Sequence, residues 1–363
     1  MTEDVYVRLR EFMDTLPGGY PTTPTGVEIR ILKKLFSPEQ AELTMKLRNE
    51  AEEVPVIAAR VGLGEVELAP RLEEMAQKGL IFRVWKGNKA FYQAFQFVVG
   101  VYEFQLKNLD REFCEMIEEY QPYLGKSFLS IKTRQMRVIP VESAVGSTPA
   151  VETYNRVREL VKAQKVFSLA QCICRKKQGL LGNECTRPKE TCLQFGDFAQ
   201  FYIDNKWARA ISRTDALEIL DLAEKSALVL CPSNSQELAS ICCCCPCCCP
   251  ILRRAKLMPR PAEAVISYYQ AKIDPELCSA CGLCIERCQM AAIKEGQDSY
   301  EIAEEKCIGC GLCVSVCPTE ALSMVAKPKV QAPPNDFFHD TLQRIQVERH
   351  AIQAKGKGIG QGA

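Results

Sequence analysis

Two stretches of the sequence have cysteines at spacings that suit metal chemistry. LCSACGLCIERCQ carries Cys278, Cys281, Cys284 and Cys288, and KCIGCGLCVSVCP carries Cys307, Cys310, Cys313 and Cys317. Both read C-x2-C-x2-C-x3-C. Upstream, CICRKKQGLLGNECTRPKETCLQFG groups Cys172, Cys174, Cys185 and Cys192, and Cys231 follows alone. Then ICCCCPCCCP, residues 241 to 250, places Cys242, Cys243, Cys244, Cys245, Cys247, Cys248 and Cys249 almost side by side. Packing does not call for this, because an aliphatic residue fills a core without the redox liability of a thiol. Neighbouring cysteines are poor material for disulfides, whose geometry needs separated, facing partners. Thiolates gathered this densely suit soft metals. Only two histidines occur, His339 and His350, so sites built mainly from imidazole are excluded.

The two regular repeats resemble the dicluster domain of bacterial-type ferredoxins, in which three thiolates of one repeat and the fourth of the other share each cubane. That resemblance implies one [4Fe-4S] cluster on Cys278, Cys281, Cys284 and Cys317. It implies a second on Cys307, Cys310, Cys313 and Cys288. Gly282 and Gly311 are expected to let the loop backbone close around each cluster where a Cβ would crowd it. Zinc is the alternative, since zinc ribbons also use paired CxxC motifs, but a doubled repeat of four favours the clusters. Cys317 is followed by Pro318, as the family pattern has it. Cys288 is followed instead by Gln289, which changes the turn beside the second cluster.

The irregular cysteines leave more open. The order C-x-C-R, C, C-L-x-F-G, a dense run and two ferredoxin repeats resembles a family of ferredoxin-like iron–sulfur proteins of anaerobic prokaryotes with undefined role. Seven sulfurs in eight positions cannot all ligate one ion. Combined with Cys172, Cys174, Cys185 and Cys192, they suffice for one or two further Fe–S clusters. Zinc is the second reading, and a thiol or persulfide relay the third. Arg175, Lys176, Lys177, Arg187, Lys189, Arg253, Arg254, Lys256 and Arg260 frame this region. A solvated face is the simple expectation for such a run. The functional one is that these cations offset thiolate charge or steer an acidic partner.

The elements that must position these sulfurs fall into four segments, giving an α+β multidomain fold. Residues 1–125 form a helical domain, 126–270 the cysteine-rich region, 271–326 the dicluster ferredoxin domain, and 327–363 a linker and tail helix. In the first, Ser37, Pro38 and Gln40 signal a capped helix start. VELAPRLEEMAQKG puts Leu68, Leu72 and Met75 on one face and stops at Gly79. LIFRVWKGNKAFYQAF reads as a hairpin turning at Gly87-Asn88. That order resembles a winged helix of the MarR type. Its third helix carries Glu65, Glu67, Glu73 and Glu74 against Arg71 and Lys78, which disfavours a phosphate backbone. The wing offers only Arg83, Lys86 and Lys89. The following helix, with Cys114 as a core thiol, suggests docking or a homodimer. The tail is expected to form an amphipathic helix with Phe338, Leu342, Ile345 and Ile352, packed back on its own chain or offered to a partner. It is followed by a Gly-rich disordered end.

A net charge of +1 recruits neither nucleic acid nor membrane, and the mean composition is that of a globular protein. The start lacks the basic and apolar regions of a signal peptide, and AFQFVVGVYEF is too short to span a bilayer. The expectation is a cytoplasmic protein. No dinucleotide-binding, Walker or nucleophile-elbow motif appears. The expected function is single-electron transfer to or from a partner oxidoreductase. A redox-sensing winged-helix regulator and a thiol or sulfur-transfer enzyme using Cys242 to Cys249 are the alternatives.

Overall fold

The structure, a computed structural model, describes residues 4–145, 155–328 and 331–359. It mixes helix and sheet, and each element follows from local signals. The helix Pro38–Thr44 begins at a capping box: the Gln40 amide donates to the Ser37 hydroxyl at 3.2 Å, and the Ser37 amide donates to Gln40 Oε1 at 3.1 Å. The helix Val54–Val61 ends at Gly62, whose φ of 72° is left-handed. The helix Glu65–Gln77 buries Leu68, Leu72 and Met75. The hairpin Phe82–Lys86 and Lys89–Gln93 turns at Gly87-Asn88, and Glu52–Glu53 adds a third antiparallel strand.

The long helix Arg111–Ser130 starts at Asp110, whose carboxylate accepts from the Phe113 amide. It buries Phe113, Cys114, Met116, Ile117, Tyr120 and Leu124 in the N-terminal core and runs past residue 125.

The centre of the molecule is a five-stranded antiparallel sheet. Its strand order is Ala208–Ala210, Phe167–Gln171, Glu190–Phe195, Ser240–Cys244, Val229–Pro232. Side chains alternate between its faces. Leu169, Leu193 and Ile241 face a core shared with Ala216 and Leu220 of the helix Arg213–Lys225. Ala170 and Cys192 face the other way, toward Phe198, Phe201 and Tyr202 of the helix Gly196–Asp204 and the N-terminal segment. The hairpin of that segment is bound to this helix. Phe82 meets Phe201 edge-on at 4.8 Å, Arg83 donates to Asp204 at 2.7 Å, and the Trp85 indole donates to the same carboxylate at 3.0 Å. Arg83 is therefore a buried intramolecular anchor.

In the C-terminal region, Tyr269–Ile273 pairs with Leu322–Ala326 and Ile293–Glu295 with Tyr300–Ile302, both antiparallel. Short helices at Leu283–Arg287 and Val314–Val316 follow the two cysteine loops. This unit is fastened to the middle region. Arg287 donates to the carbonyls of Glu224 and Lys225, and the Val141 amide donates to the Cys310 carbonyl at 3.1 Å. Met290, Ile308 and Leu312 enter the same core as Leu230 and Leu252.

The tail folds back on its own chain. Phe337, Leu342 and Ile345 bury against Ile131 and Ala239, and Phe338 lies 5.8 Å from Phe82. Glu348 accepts from the amides of Lys132 and Thr133, and Arg349 donates to Asp14 at 2.7 Å. Ile352 stays exposed, and the last helix runs on through part of the Gly-rich end to Ile359, contrary to the disorder expected there; residues 360–363 lie outside the described residues. Among the described residues no helix is long and apolar enough to cross a membrane.

Candidate metal centres

The two ferredoxin-like loops enclose two cavities. One, of about 390 Å³ counting space open to solvent, is lined by Cys288, Cys307, Cys310 and Cys313. The other, of about 310 Å³, is lined by Cys278, Cys281, Cys284 and Cys317. In each, three sulfurs come from one repeat and the fourth from the other. A donor set of four thiols around an otherwise apolar hollow fits an iron–sulfur cubane, whose ligands stand apart on separate irons. Backbone amides point at some of these sulfurs: Ala271 at Cys307, 3.4 Å, and Ala292 at Cys288, 3.2 Å. Such bonds favour a thiolate and raise the potential of a bound cluster. Burial pushes the Cys310 thiol up to about 12. Cys317, although partly desolvated, lies below the ordinary thiol value because the Thr319 hydroxyl and the amides of Leu322, Thr319 and Ala321 point at it.

Both glycines hold left-handed backbone in the loops, φ 82° at Gly282 and 72° at Gly311. Among protein atoms, a Cβ on Gly282 would meet only the Tyr300 hydroxyl at 3.6 Å. At Gly311 a Cβ would lie 2.6 Å from Ala144, so this glycine also admits the neighbouring segment 140–144. The tightest position is Gly309, where a Cβ would fall 2.1 Å from the Tyr269 carbonyl oxygen. Gln289 is also explained. It is buried, accepts from Arg187 and donates to the Arg287 carbonyl, linking the turn after Cys288 to the middle region.

The cysteine run is a strand followed by a turn. Ser240–Cys244 is the fourth strand of the sheet, and Cys245 to Cys248 close a turn in which the Cys249 amide donates to the Cys245 carbonyl at 3.0 Å. Pro250 then opens the helix Pro250–Leu257. Alternation therefore divides the sulfurs. Cys185, Cys245, Cys247 and Cys248 gather with all four sulfurs within 4.8 Å of one another. Cys185 and Cys247 are 3.6 Å apart, and Cys247 and Cys248 3.8 Å. A tetrahedral ion with bonds near 2.3 Å holds its sulfurs about 3.8 Å apart, so this set has the dimensions of a single-ion site with four cysteine ligands. Cys243 faces the sheet core opposite Leu230, and burial pushes its thiol up. Cys242 and Cys244 face the other way. Cys242 lies opposite Cys192 on one side and Cys231 on the other. Cys231 thus belongs with sulfurs from which its isolation in the sequence had separated it. Cys172 and Cys174 flank the start of the helix Ile173–Leu180. Interaction with the Cys174 thiol, with Arg175 nearby, holds Cys172 below the ordinary thiol value despite its burial.

The basic residues of this region do not make a solvated face. Lys177 is fully buried and paired with Glu118, which also accepts from Arg253 at 2.7 Å. Arg175, buried to 4% exposure, donates to Thr191 at 2.6 Å and to the Cys243 carbonyl at 2.7 Å. Its Nε has no protein partner. It lies close to Cys172, Cys245 and Cys244, and their charges hold its pKa above the ordinary guanidinium value despite burial. Arg187 donates to the carbonyls of Ser226 and Ala227. Lys189, Lys256 and Arg260 do face solvent. A cation buried between two groups of thiols has no signature in sequence beyond the R of C-x-C-R.

The family model described as a 4Fe-4S dicluster domain matches residues 271–324. The C-terminal unit is thus a ferredoxin-like iron–sulfur domain. The match covers a small part of the chain. Comparisons with curated proteins and with solved structures found no match.

Proposed function

We propose that the protein is an electron-transfer iron–sulfur protein that exchanges single electrons with a redox partner. The observation that carries this is the pair of cysteine-lined cavities in one ferredoxin-like domain, with ligand sets crossed between the repeats. Bound [4Fe-4S] clusters supply one-electron redox chemistry there. The chain's part is to hold them with Cys278, Cys281, Cys284 and Cys317, and with Cys307, Cys310, Cys313 and Cys288. It also aims amides at the sulfurs and seats the second site against the middle region through Gln289 and the Cys310 carbonyl. Cys185, Cys245, Cys247 and Cys248 hold one zinc or iron ion beside that junction.

The N-terminal helices and hairpin are read as a winged-helix-like module put to intramolecular use. The Arg83 and Trp85 contacts with Asp204 occupy its wing, and its third helix pairs Arg71 with Glu67 and Lys78 with Glu74. This tells against a DNA-binding regulator.

The test is iron and acid-labile sulfide on anoxically purified protein, with EPR after reduction by dithionite. The wild type should show two magnetically coupled clusters. Cys317→Ser should lose the cluster of the first repeat, about four irons, and leave an uncoupled signal from the other. A chain with no reducible cluster overturns the reading. Loss confined to the second repeat's own cluster overturns the crossed ligand sets.

A further inference from the structure

One group of sulfurs remains outside the sites above. On the sheet face turned toward the N-terminal module, Cys192 lies opposite Cys242 in the strand pairing, and Cys172 and Cys174 lie side by side at the start of the helix Ile173–Leu180. The two pairs are near enough for Cys172 to sense the charge of Cys242. Strand pairing fixes Cys192 opposite Cys242. The turn from strand to helix brings in the other two, with the Cys172 amide bonded to the Lys189 carbonyl at 2.8 Å. The donors that gather within 4.8 Å of one another are those of the Cys185 set. This second set is drawn out over two strands and a helix start, wider than one tetrahedral ion spans.

Its surroundings are not those of an inert thiol core. Tyr102, only 3% exposed, has a hydroxyl with no hydrogen-bond partner, within electrostatic reach of Cys174 and Cys172. The Glu103 carboxylate, held by the Gly100 amide at 2.7 Å, lies within electrostatic reach of Cys242 and Cys172. Buried donors are normally satisfied, so the Tyr102 hydroxyl marks a missing acceptor. Thiolate or bridging sulfide would be that acceptor, and Arg175 supplies the compensating charge. Cys244, Cys231 and Cys249 lie near Cys242 and line the site as thiols.

We propose that Cys172, Cys174, Cys192 and Cys242 hold a third, buried iron–sulfur cluster, roofed by Tyr102 and Glu103 of the N-terminal module. The inference rests on the iron–sulfur reading above and extends it to a different face of the molecule. It gives the N-terminal module a role as a lid that keeps water from the cluster.

The experiment uses the full chain, grown with 57Fe and purified without oxygen, read by Mössbauer spectroscopy, elemental analysis and EPR. Two pairs of adjacent thiols suit a two-iron cluster with two cysteines on each iron, so the wild type should contain about ten cluster irons, about two beyond the ferredoxin pair. Cys192→Ser and Cys174→Ser should each lose about two irons while the coupled ferredoxin signal persists. Cys231→Ser should keep them. Tyr102→Phe should keep the iron but lower the potential of the extra cluster, a readout that a merely structural hydroxyl would not move. About eight cluster irons in the wild type, with the coupled signal intact, overturns the third cluster and spares the electron-transfer reading. Absence of the coupled signal overturns that reading instead. Zinc bound by these four cysteines overturns the cluster assignment. Iron unchanged in Cys192→Ser overturns the ligand set. The wild-type count stands whether or not a variant folds.

Discussion

The two cysteine loops are near copies at the scale of single residues. Their differences show what each position tolerates. Ala280 stands in the first loop where Gly309 stands in the second, and both have positive φ, 50° and 70°. Alanine therefore can hold that conformation, at a cost of about 1 kcal/mol. What differs is room. A Cβ on Gly309 would run into the Tyr269 carbonyl, whereas one on Gly282 would touch nothing closer than 3.6 Å. Gly282→Ala should keep both clusters and lose about 1 kcal/mol of stability. Gly309→Ala should lose the cluster of the second repeat, because Tyr269 lies in a strand that cannot yield. Iron content and thermal melting of the two variants check this, and equal behaviour would show that conformation, not space, decides both positions. The ligand spacing was legible in the sequence because it is local. The reason for each glycine was not, since Ala144 and Tyr269 are distant in the chain.

Among the elements, one tie joins three helices through ions. Glu118 on the helix Arg111–Ser130 accepts from Lys177 on the helix Ile173–Leu180 and from Arg253 on the helix Pro250–Leu257. Lys177 is fully buried, so removing its partner strands a charge. Breaking a buried pair costs about 3–5 kcal/mol, but Glu118 is about a third exposed, so Glu118→Gln should cost roughly 2 kcal/mol. Partial burial pushes the Glu118 carboxyl up, yet Lys177 and Arg253 together hold it below the usual carboxylate value. A depressed carboxyl stabilises the fold above its unfolded pKa of about 4.3, and that contribution is lost as pH falls through the folded value. The variant should therefore lose stability less steeply than the parent below about pH 5. Denaturant unfolding at stepped pH measures this, and parallel curves would show that the tie does not titrate. Helix starts, the hairpin and its turn could be read from the sequence, because caps and alternation are local signals. The five-stranded sheet could not, since its strands are short, three to six residues, and one of them runs into the cysteine run. The tie at Glu118 joins residues 59 and 135 positions away.

Across the whole molecule, the two ferredoxin-like cavities have unlike surroundings. Cys307 and Cys313 of the inner one are buried, and the turn after Cys288 is locked to the middle region by Gln289. Cys281 of the outer one is exposed, with Leu277 and Leu283 exposed in the same loop. Exposed leucines beside a ligand offer apolar area that a partner could bury, each contributing about 1.5–3 kcal/mol. On the electron-transfer reading proposed above, the outer site would exchange electrons with another protein, and the inner site would pass them toward the cysteine-rich sheet. Leu283→Glu should leave iron and sulfide unchanged and slow reduction by a protein donor, such as a reduced low-potential ferredoxin, about tenfold. Reduction by dithionite, which needs no such surface, should stay within about twofold. Stopped-flow absorbance separates the two. Equal rates for parent and variant with the protein donor would move the site of exchange away from this loop. The sequence held both leucines and the cysteine between them. Only the fold shows that this loop faces solvent while its twin is closed by segment 140–144.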